Sequence, residues 1–287
     1  MTVTALGYLL LSVLFSLLIA HFLKMTEVKG ANTLLVLTIN YFIATSLAAT
    51  TNYVTGETLL PGFPLWIYGL AVVVGILFIA NFFVYSKSIH DNGVGVSVTA
   101  MRVSLLIPVL MSIILYDDSV TIFRIIGIIL VLSSLFMLVA PRKNIRLDKV
   151  NRHWLLILLF LFTGFADASM KVFEQEGLQA ATEAHYLGIV FLTSFFIGLI
   201  AIIYRGLEKI TWLHIGLGVA IGVSNLLTSV FLIKALQYAD GTVIYSSVNI
   251  LTVIGGALIG KLYWEDTITK LQTVGMGLAL IAIVILV

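Results

Sequence analysis

The sequence predicts an all-α polytopic membrane protein with ten transmembrane helices, arranged as two inverted five-helix repeats. Three observations carry this prediction. The chain is 60% hydrophobic and only 10% charged over 287 residues, whereas a soluble domain has about 25% charged residues. Its apolar residues fall into ten runs, each long enough to cross a bilayer. Two stretches of the chain also repeat one another at a constant distance.

The ten runs cover residues 3–24, 32–50, 64–86, 94–116, 120–140, 154–173, 184–204, 212–234, 242–263 and 268–287. A hydrocarbon core of about 30 Å needs roughly 20 apolar residues in a helix. Helices are expected throughout, because lipid offers no partner to an open strand edge. The run 3–24 has no basic residue before it and reads as a span, not a cleaved leader. Trp66, Trp154, Trp212 and Trp264 each fall beside a predicted helix end, where interfacial aromatic anchors sit.

The echo has a register of 148 residues. Asn92-Gly93 returns as Asp240-Gly241, Asp117-Asp118-Ser119 as Glu265-Asp266-Thr267, and Gly127 as Gly275. Residues 142–153 form a basic linker between a first half, 1–141, and a second, 154–287. Five spans per half is odd, so the second half starts from the other side of the membrane. That arrangement is an inverted repeat.

Twelve of the sixteen Lys and Arg residues fall on one side, five of them in the linker. Arg124, Lys171 and Lys234 fall on the other, and Arg102 on neither. The positive-inside rule places the rich side in the cytoplasm and both termini outside. An integral multi-pass protein of the cytoplasmic (inner) membrane is expected. The absence of cysteine excludes disulfides, thiol catalysis and cysteine–metal sites. A net charge of +2 gives no ground for nucleic-acid binding.

At these residues the chain resembles the drug/metabolite transporter superfamily, in its EamA-like branch. The second half reads Lys234-Ala235-Leu236-Gln237-Tyr238, then Trp264-Glu265-Asp266-Thr267-Ile268, then Gly275. The first reads Tyr85-Ser86-Lys87-Ser88-Ile89, then Pro108, then Asp117-Asp118-Ser119-Val120, then Gly127. Gly164 to Lys171 matches a glycine-to-lysine spacing in the first helix of a repeat, with Ser16 and Lys24 as the counterpart in the first half. The resemblance spans the whole chain and implies ten helices in two inverted repeats and a transport function. It leaves the cargo open. The chain departs from the pattern at Asp117, at Gly256 opposite Pro108, and in its termini, which the resemblance places in the cytoplasm.

Arg102 is the sharpest single signal. It lies near the centre of the run 94–116, where a charge costs roughly 2.5–3.5 kcal/mol on insertion scales. An arginine cannot shed its proton to escape that cost. It calls for a watery cavity, an anionic substrate or a permanent ion pair. Asp167 is the only acid well inside a span and the obvious counter-charge. A carboxylate that alternates between paired and unpaired states offers a route to proton coupling. Asn40, Tyr41, Asn81, Asn225, Tyr245 and Asn249 lie at similar depth. They read as substrate-binding groups around Arg102, with interhelical hydrogen bonding as the competing role. Asn249 stands 148 residues from Met101, so it marks nearly the same place as Arg102 in the other half.

The remaining polar residues read as structural. His185, Glu174, Glu176 and Glu183 are expected to be solvated, and Lys24 and Lys171 to reach for the interface. Ser119 and Thr267 are candidate helix N-caps. Gly218–Gly222 and Gly256–Gly260 read as packing patterns in the bundle, with a homodimer face as the alternative. No metal cluster, nucleophile elbow or phosphate loop is present, so no cofactor, metal or catalytic residue is expected. The expected function is not enzymatic. It is secondary transport of a small polar or amphipathic metabolite, anionic or zwitterionic, by a monomer or homodimer. The alternatives are a flippase of a lipid-linked substrate and a non-transporting membrane subunit.

Overall fold

In hydrocarbon every backbone N–H and C=O must be satisfied inside the chain, and the computed structural model accordingly builds from helices alone. It describes residues 1–58, 62–92, 94–139, 152–206, 209–265 and 268–286. No strand occurs among them. The helices are α1 (Val3–Val28), α2 (Thr33–Val54), α3 (Leu65–Asn92), α4 (Val94–Val103), α5 (Leu106–Leu115) and α6 (Ile122–Val139). The chain continues through α7 (His153–Val172), α8 (Glu183–Arg205), α9 (Trp212–Leu236), α10 (Gly241–Tyr263) and α11 (Lys270–Leu286). Eight spans among the described residues are long and apolar enough to cross a membrane, α4 and α5 counting together as one of them. Two shorter apolar stretches, Ile122–Leu138 and Lys270–Leu286, complete the set. Most of the linker, Gly93, Asp266 and the proposed cap Thr267 lie outside the described residues.

The run 94–116 is two helices, not one. Pro108 has no N–H to offer the carbonyl four residues back, and its ring crowds that position. The carbonyl of Ser104 instead accepts from Ile107 N at 2.9 Å. The helix breaks at Ser104-Leu105 and resumes at Leu106. Arg102 therefore sits in the last turn of α4, where the negative end of a helix dipole favours a cation.

Packing pairs early helices with late ones. The main partners are α1 with α9, α3 with α7, α2 with α8 and α9, α3 with α8, and α6 with α11. Around the break, α10 meets α5, while α7 meets α4 and α5. Glycines mark the closest approaches. A methyl group at Gly127 would lie 2.6 Å from Leu286, and one at Gly275 would lie 3.2 Å from Leu138. Each of these two contacts is the other with 148 added to one member and subtracted from the other. Gly75 faces Val190 O and Thr193, while Gly222 faces Asn40 O and Ile43. Asp117 and Glu265, also 148 apart, are the non-glycine residues with positive φ among the described residues, at 52° and 56°.

The helix ends gather at two faces. One carries Asn32, Lys87, His90 and Arg205 around a cavity of about 720 Å³, and is called here the basic face. Met1, Thr2, Arg124, Asp240 and Leu286 line a cavity of about 400 Å³ at the opposite face.

Several expectations are corrected at these ends. Ser119 does not cap α6; Thr121 does, through Arg124 N at 3.3 Å. Asp118 reaches across the bundle instead, accepting from Thr242 N at 2.8 Å and Thr242 Oγ1 at 2.9 Å, and so caps α10. His185 is buried. Its Nδ1 accepts from Thr182 N and its backbone N–H donates to Thr182 Oγ1, a capping box on α8, while its Nε2 lies 2.8 Å from Thr58 O. Glu183 pairs with Lys234 at 3.4 Å. Gly218 and Gly222 pack on α2 as expected, whereas Gly256 meets nothing within 4 Å.

Gly75→Ala and Gly222→Ala each force a Cβ to within 2.7 Å of a backbone oxygen or closer. Each is expected to cost about 1–3 kcal/mol. Gly256→Ala, with open space around it, should be neutral or slightly stabilising because alanine is the better helix former. Thermal unfolding of the three variants in detergent checks the order.

Candidate functional site

The site begins at the break in α4–α5. Arg102 Nη1 donates to Asn249 Oδ1 of α10 at 3.3 Å. Asn249 Nδ2 donates back along its own helix to Tyr245 O at 3.1 Å. The Tyr245 hydroxyl donates to the backbone oxygen of Asp167, in α7, at 2.9 Å. Three of the expected residues are thus joined in one polar chain that crosses from the first half of the sequence to the second, and it ends on the main chain of the fourth, Asp167. The Asp167 carboxylate and the Arg102 guanidinium are near enough for their charges to interact. Among the described residues, however, no ion pair joins them within 4.0 Å. The charge of Arg102 also acts on Tyr85 of α3.

The close approach of α7 to the break depends on Gly164, whose missing side chain leaves room for Ile107 of α5. Asp167 follows one turn later. Any larger residue at position 164 would push the carboxylate away from α4.

The other expected residues lie apart from this chain. Asn225 Nδ2 donates to Asn40 Oδ1 at 3.2 Å, and Asn40 Nδ2 to Leu37 O at 3.2 Å, which ties α9 to α2. Asn81 Nδ2 donates to Thr163 Oγ1 at 3.0 Å between α3 and α7. Its Oδ1 is buried with no partner. Tyr41 is buried and stacks on Phe191 of α8, ring centroids 6.2 Å apart. No hydrogen bond links these four residues to Arg102 among the described contacts.

Two further polar clusters emerge that the residue-by-residue reading of the sequence did not anticipate. Beyond α7 the helix widens into a π turn, Phe173–Gly177, a form that recurs at functional sites. It brings Glu174 Oε2 to 2.8 Å from Lys171 Nζ, with both side chains under 10% exposed. Lys171 also lies over the ring of Tyr116, 5.8 Å from its centroid. Lys171 is therefore buried, not interfacial, and Glu174 is not solvated. The i,i+3 spacing of Lys171 and Glu174 was the available signal, since it aligns the two only if the helix runs on past Val172.

At the basic face, Lys24 lies over Trp264, 5.1 Å from the centroid. His21 meets Tyr263 edge-on at 4.7 Å. A cavity of about 210 Å³ opens beside them. Trp264 is thus not a simple lipid anchor, in contrast to the exposed Trp66, Trp154 and Trp212.

No family model matches the chain. An uncharacterized protein of Haemophilus influenzae is 26% identical over 216 residues, covering 74% of this chain and 72% of that one. A protein of known crystal structure superposes on 99% of this chain and 96% of its own, with a TM-score of 0.81 at 11% identity. The two share a fold.

Lys171→Met leaves the buried Glu174 charge without a counter-charge, with only the Gln175 amide donating to it at 2.9 and 3.2 Å, and should cost about 3 kcal/mol. The double variant Lys171→Met/Glu174→Gln removes both charges and should recover most of that loss. Thermal unfolding of the single and double variants tests it; equal losses would mean the pair is not buried as a unit.

Proposed function

We propose that the chain is a secondary transporter of a small polar or amphipathic metabolite. On this reading it has ten spans in two inverted five-helix repeats and works by alternating access. The observation that carries the proposal is the exchange of contacts between the halves. Gly127 against Leu286 and Gly275 against Leu138 are one contact seen twice. Reciprocity of this kind is what a two-fold relation produces: residue i meets j, and the equivalent of j meets the equivalent of i. The paired left-handed turns at Asp117 and Glu265 support the same register. Two halves related in this way can rock about a central site.

The polar chain from Arg102 through Asn249 to Tyr245 sits between the halves at that centre, with Asp167 beside it. A guanidinium and a carboxylate held near one another without an ion pair suit a cargo that carries charge. We read Arg102 as the group that receives a carboxylate or phosphate, and Asn249 and Tyr245 as the groups that orient it. Asp167 is the candidate for proton coupling. The apolar cavity of about 360 Å³ lined by Val96, Ala100, Val103 and Phe160 adjoins α4. It suits an apolar portion of the cargo and keeps a flippase of lipid-linked substrates as the second reading.

A thermal-shift screen of the purified protein against anionic and zwitterionic metabolites, repeated on Arg102→Ala, tests the assignment. A true ligand stabilises the native protein and loses most of that effect in the variant. A ligand that stabilises both equally removes Arg102 from the site. For a ligand so found, Asp167→Asn proteoliposomes are expected to lose uptake driven by a pH gradient while exchange across equal pH persists. Full gradient-driven uptake in that variant would rule out the coupling role.

A further inference from the structure

The halves treat equivalent helix ends differently. The second helix of the second half, α8, begins with Glu183. Its carboxylate pairs with Lys234, near the end of α9, at 3.4 Å, and Gln237 Nε2 donates to it at 3.1 Å. An acid in the first turn of a helix also meets the positive end of its dipole. The second helix of the first half, α2, begins with Thr33 and has no acid in its first turn. Near the end of α3 stands a lysine again, Lys87, 147 residues before Lys234. It lines the same cavity as Thr33. The carboxylate that joins lysine to helix start at the opposite face thus has no equivalent in α2 at the basic face.

In its place is the cavity of about 720 Å³, within the range of about 300–1,000 Å³ typical of ligand pockets. Asn32 and Thr33 form one wall, Lys87 and His90 of α3 another, and Arg205 at the end of α8 a third. Thr33 and Leu34 open α2, so their N–H groups have no intrahelical acceptor. The Asn32 side chain accepts from Leu35 N instead, at 3.2 Å. Arg205 lies over the ring of Phe83, 5.4 Å from its centroid. Among the described residues no acid lies within 4.0 Å of its guanidinium. Lys87 meets Asp91 of its own helix at 3.8 Å, but Arg152 and His90 share that carboxylate, at 3.3 and 2.9 Å. Three permanent cations in and beside the cavity, Lys87, Arg152 and Arg205, thus stand with one carboxylate.

We infer that this cavity is a binding site for a phosphate group, held by Arg205 and Lys87 against the start of α2. The phosphate takes the place that the Glu183 carboxylate has at the other face. Its several oxygens accept from a guanidinium, an ammonium and backbone N–H groups together. Phe82 and Phe83 add apolar wall, which suits the headgroup of an anionic phospholipid as well as a free phosphate. Basic pockets between spans bind such headgroups. Arg102 is not among the lining residues. The inference uses the correspondence of the halves and requires no transport activity.

The detergent-solubilised protein is tested with two probes. Sodium phosphate at constant ionic strength is read by thermal unfolding. Phosphatidylglycerol against phosphatidylcholine is read by native mass spectrometry. Binding of phosphate alone marks a site for the free ion, and binding of phosphatidylglycerol in preference to phosphatidylcholine marks a headgroup site. For whichever probe binds, Arg205→Gln and Lys87→Gln should each weaken binding about tenfold, the loss that one charge-assisted hydrogen bond gives. Lys261→Gln removes an exposed lysine at the end of α10, outside the cavity, and should leave binding unchanged. Thr33→Glu supplies the missing carboxylate. It should abolish binding while the protein unfolds at or above the parent's temperature. Binding of neither probe overturns the inference, as does binding that the three cavity variants leave unchanged or that Lys261→Gln weakens equally. A site confirmed here beside a failed metabolite screen would count against the transport reading alone, and the reverse result against this site alone.

Discussion

Hydrocarbon provides no hydrogen-bond partner, and the placement of polar groups in this protein follows from that constraint. Serine and threonine side chains bond back to carbonyls one turn away, as Thr38 does to Leu34 O at 2.8 Å and Ser224 to Ala220 O at 2.8 Å. Asparagines cannot satisfy a whole amide that way, so they reach another helix, as Asn225 does to Asn40 and Asn81 to Thr163. An arginine needs more than one neighbour. Pro108 breaks the fourth span so that α4 ends within it, and Arg102 sits in that last turn. The break that costs the helix a hydrogen bond is the same feature that makes a mid-membrane cation tolerable.

Much of this was legible in the sequence, for a physical reason. Spans are long and uniform, so α2, α8, α9 and α10 lie within a few residues of their expected positions. Turn chemistry repeats because the same backbone kink recurs, which is why the echo at Asp117 and Glu265 falls on the two left-handed residues. The site was legible where depth alone decides. Arg102, Asn249 and Tyr245 meet, and Asp167 lies beside them, because a charge buried at one level draws the polar groups of that level. Contacts between distant segments were not legible residue by residue. Nothing near Asp118 in the sequence announces that it caps α10, at Thr242, 124 residues away. Glu174 reads as a solvated loop acid because nothing local announces that a π turn carries the helix onward. Tyr41 and Asn40 share the depth of Arg102 but face α8 and α9 instead.

The halves agree where they pack and disagree where they bear chemistry. Gly127 and Gly275 do equivalent work against Leu286 and Leu138. At the position of Arg102 the second half has Ile250, and at that of Pro108 it has Gly256. As a result α10 runs unbroken through the level at which α4 ends. One half contributes an interrupted helix and a cation; the other contributes a continuous helix with an amide and a phenol. On the proposed transport reading, a ligand between them would meet two different walls, so that a duplicated scaffold would carry an unduplicated recognition surface.

The same comparison bears on how the two faces are held. Polar contacts between the halves occur at both faces. At the basic face Arg152 pairs with Asp91 at 3.3 Å and its backbone N–H and C=O bond the Asn92 side chain at 3.0 and 3.1 Å. Arg152 is half exposed and Asp91 only partly so, and ion pairs that solvent reaches contribute about 0–1 kcal/mol. The opposite face holds the Asp118 cap and the Lys171–Glu174 pair, both buried. Separating a buried pair without rehydrating it leaves bare charges in a medium of low dielectric, so parting those groups requires water to enter with the movement. The opposite face is therefore held by buried groups that part only together with entering water, whereas the basic-face pair already meets solvent on its Arg152 side; the cavity at Lys24 and Trp264 lies on that side.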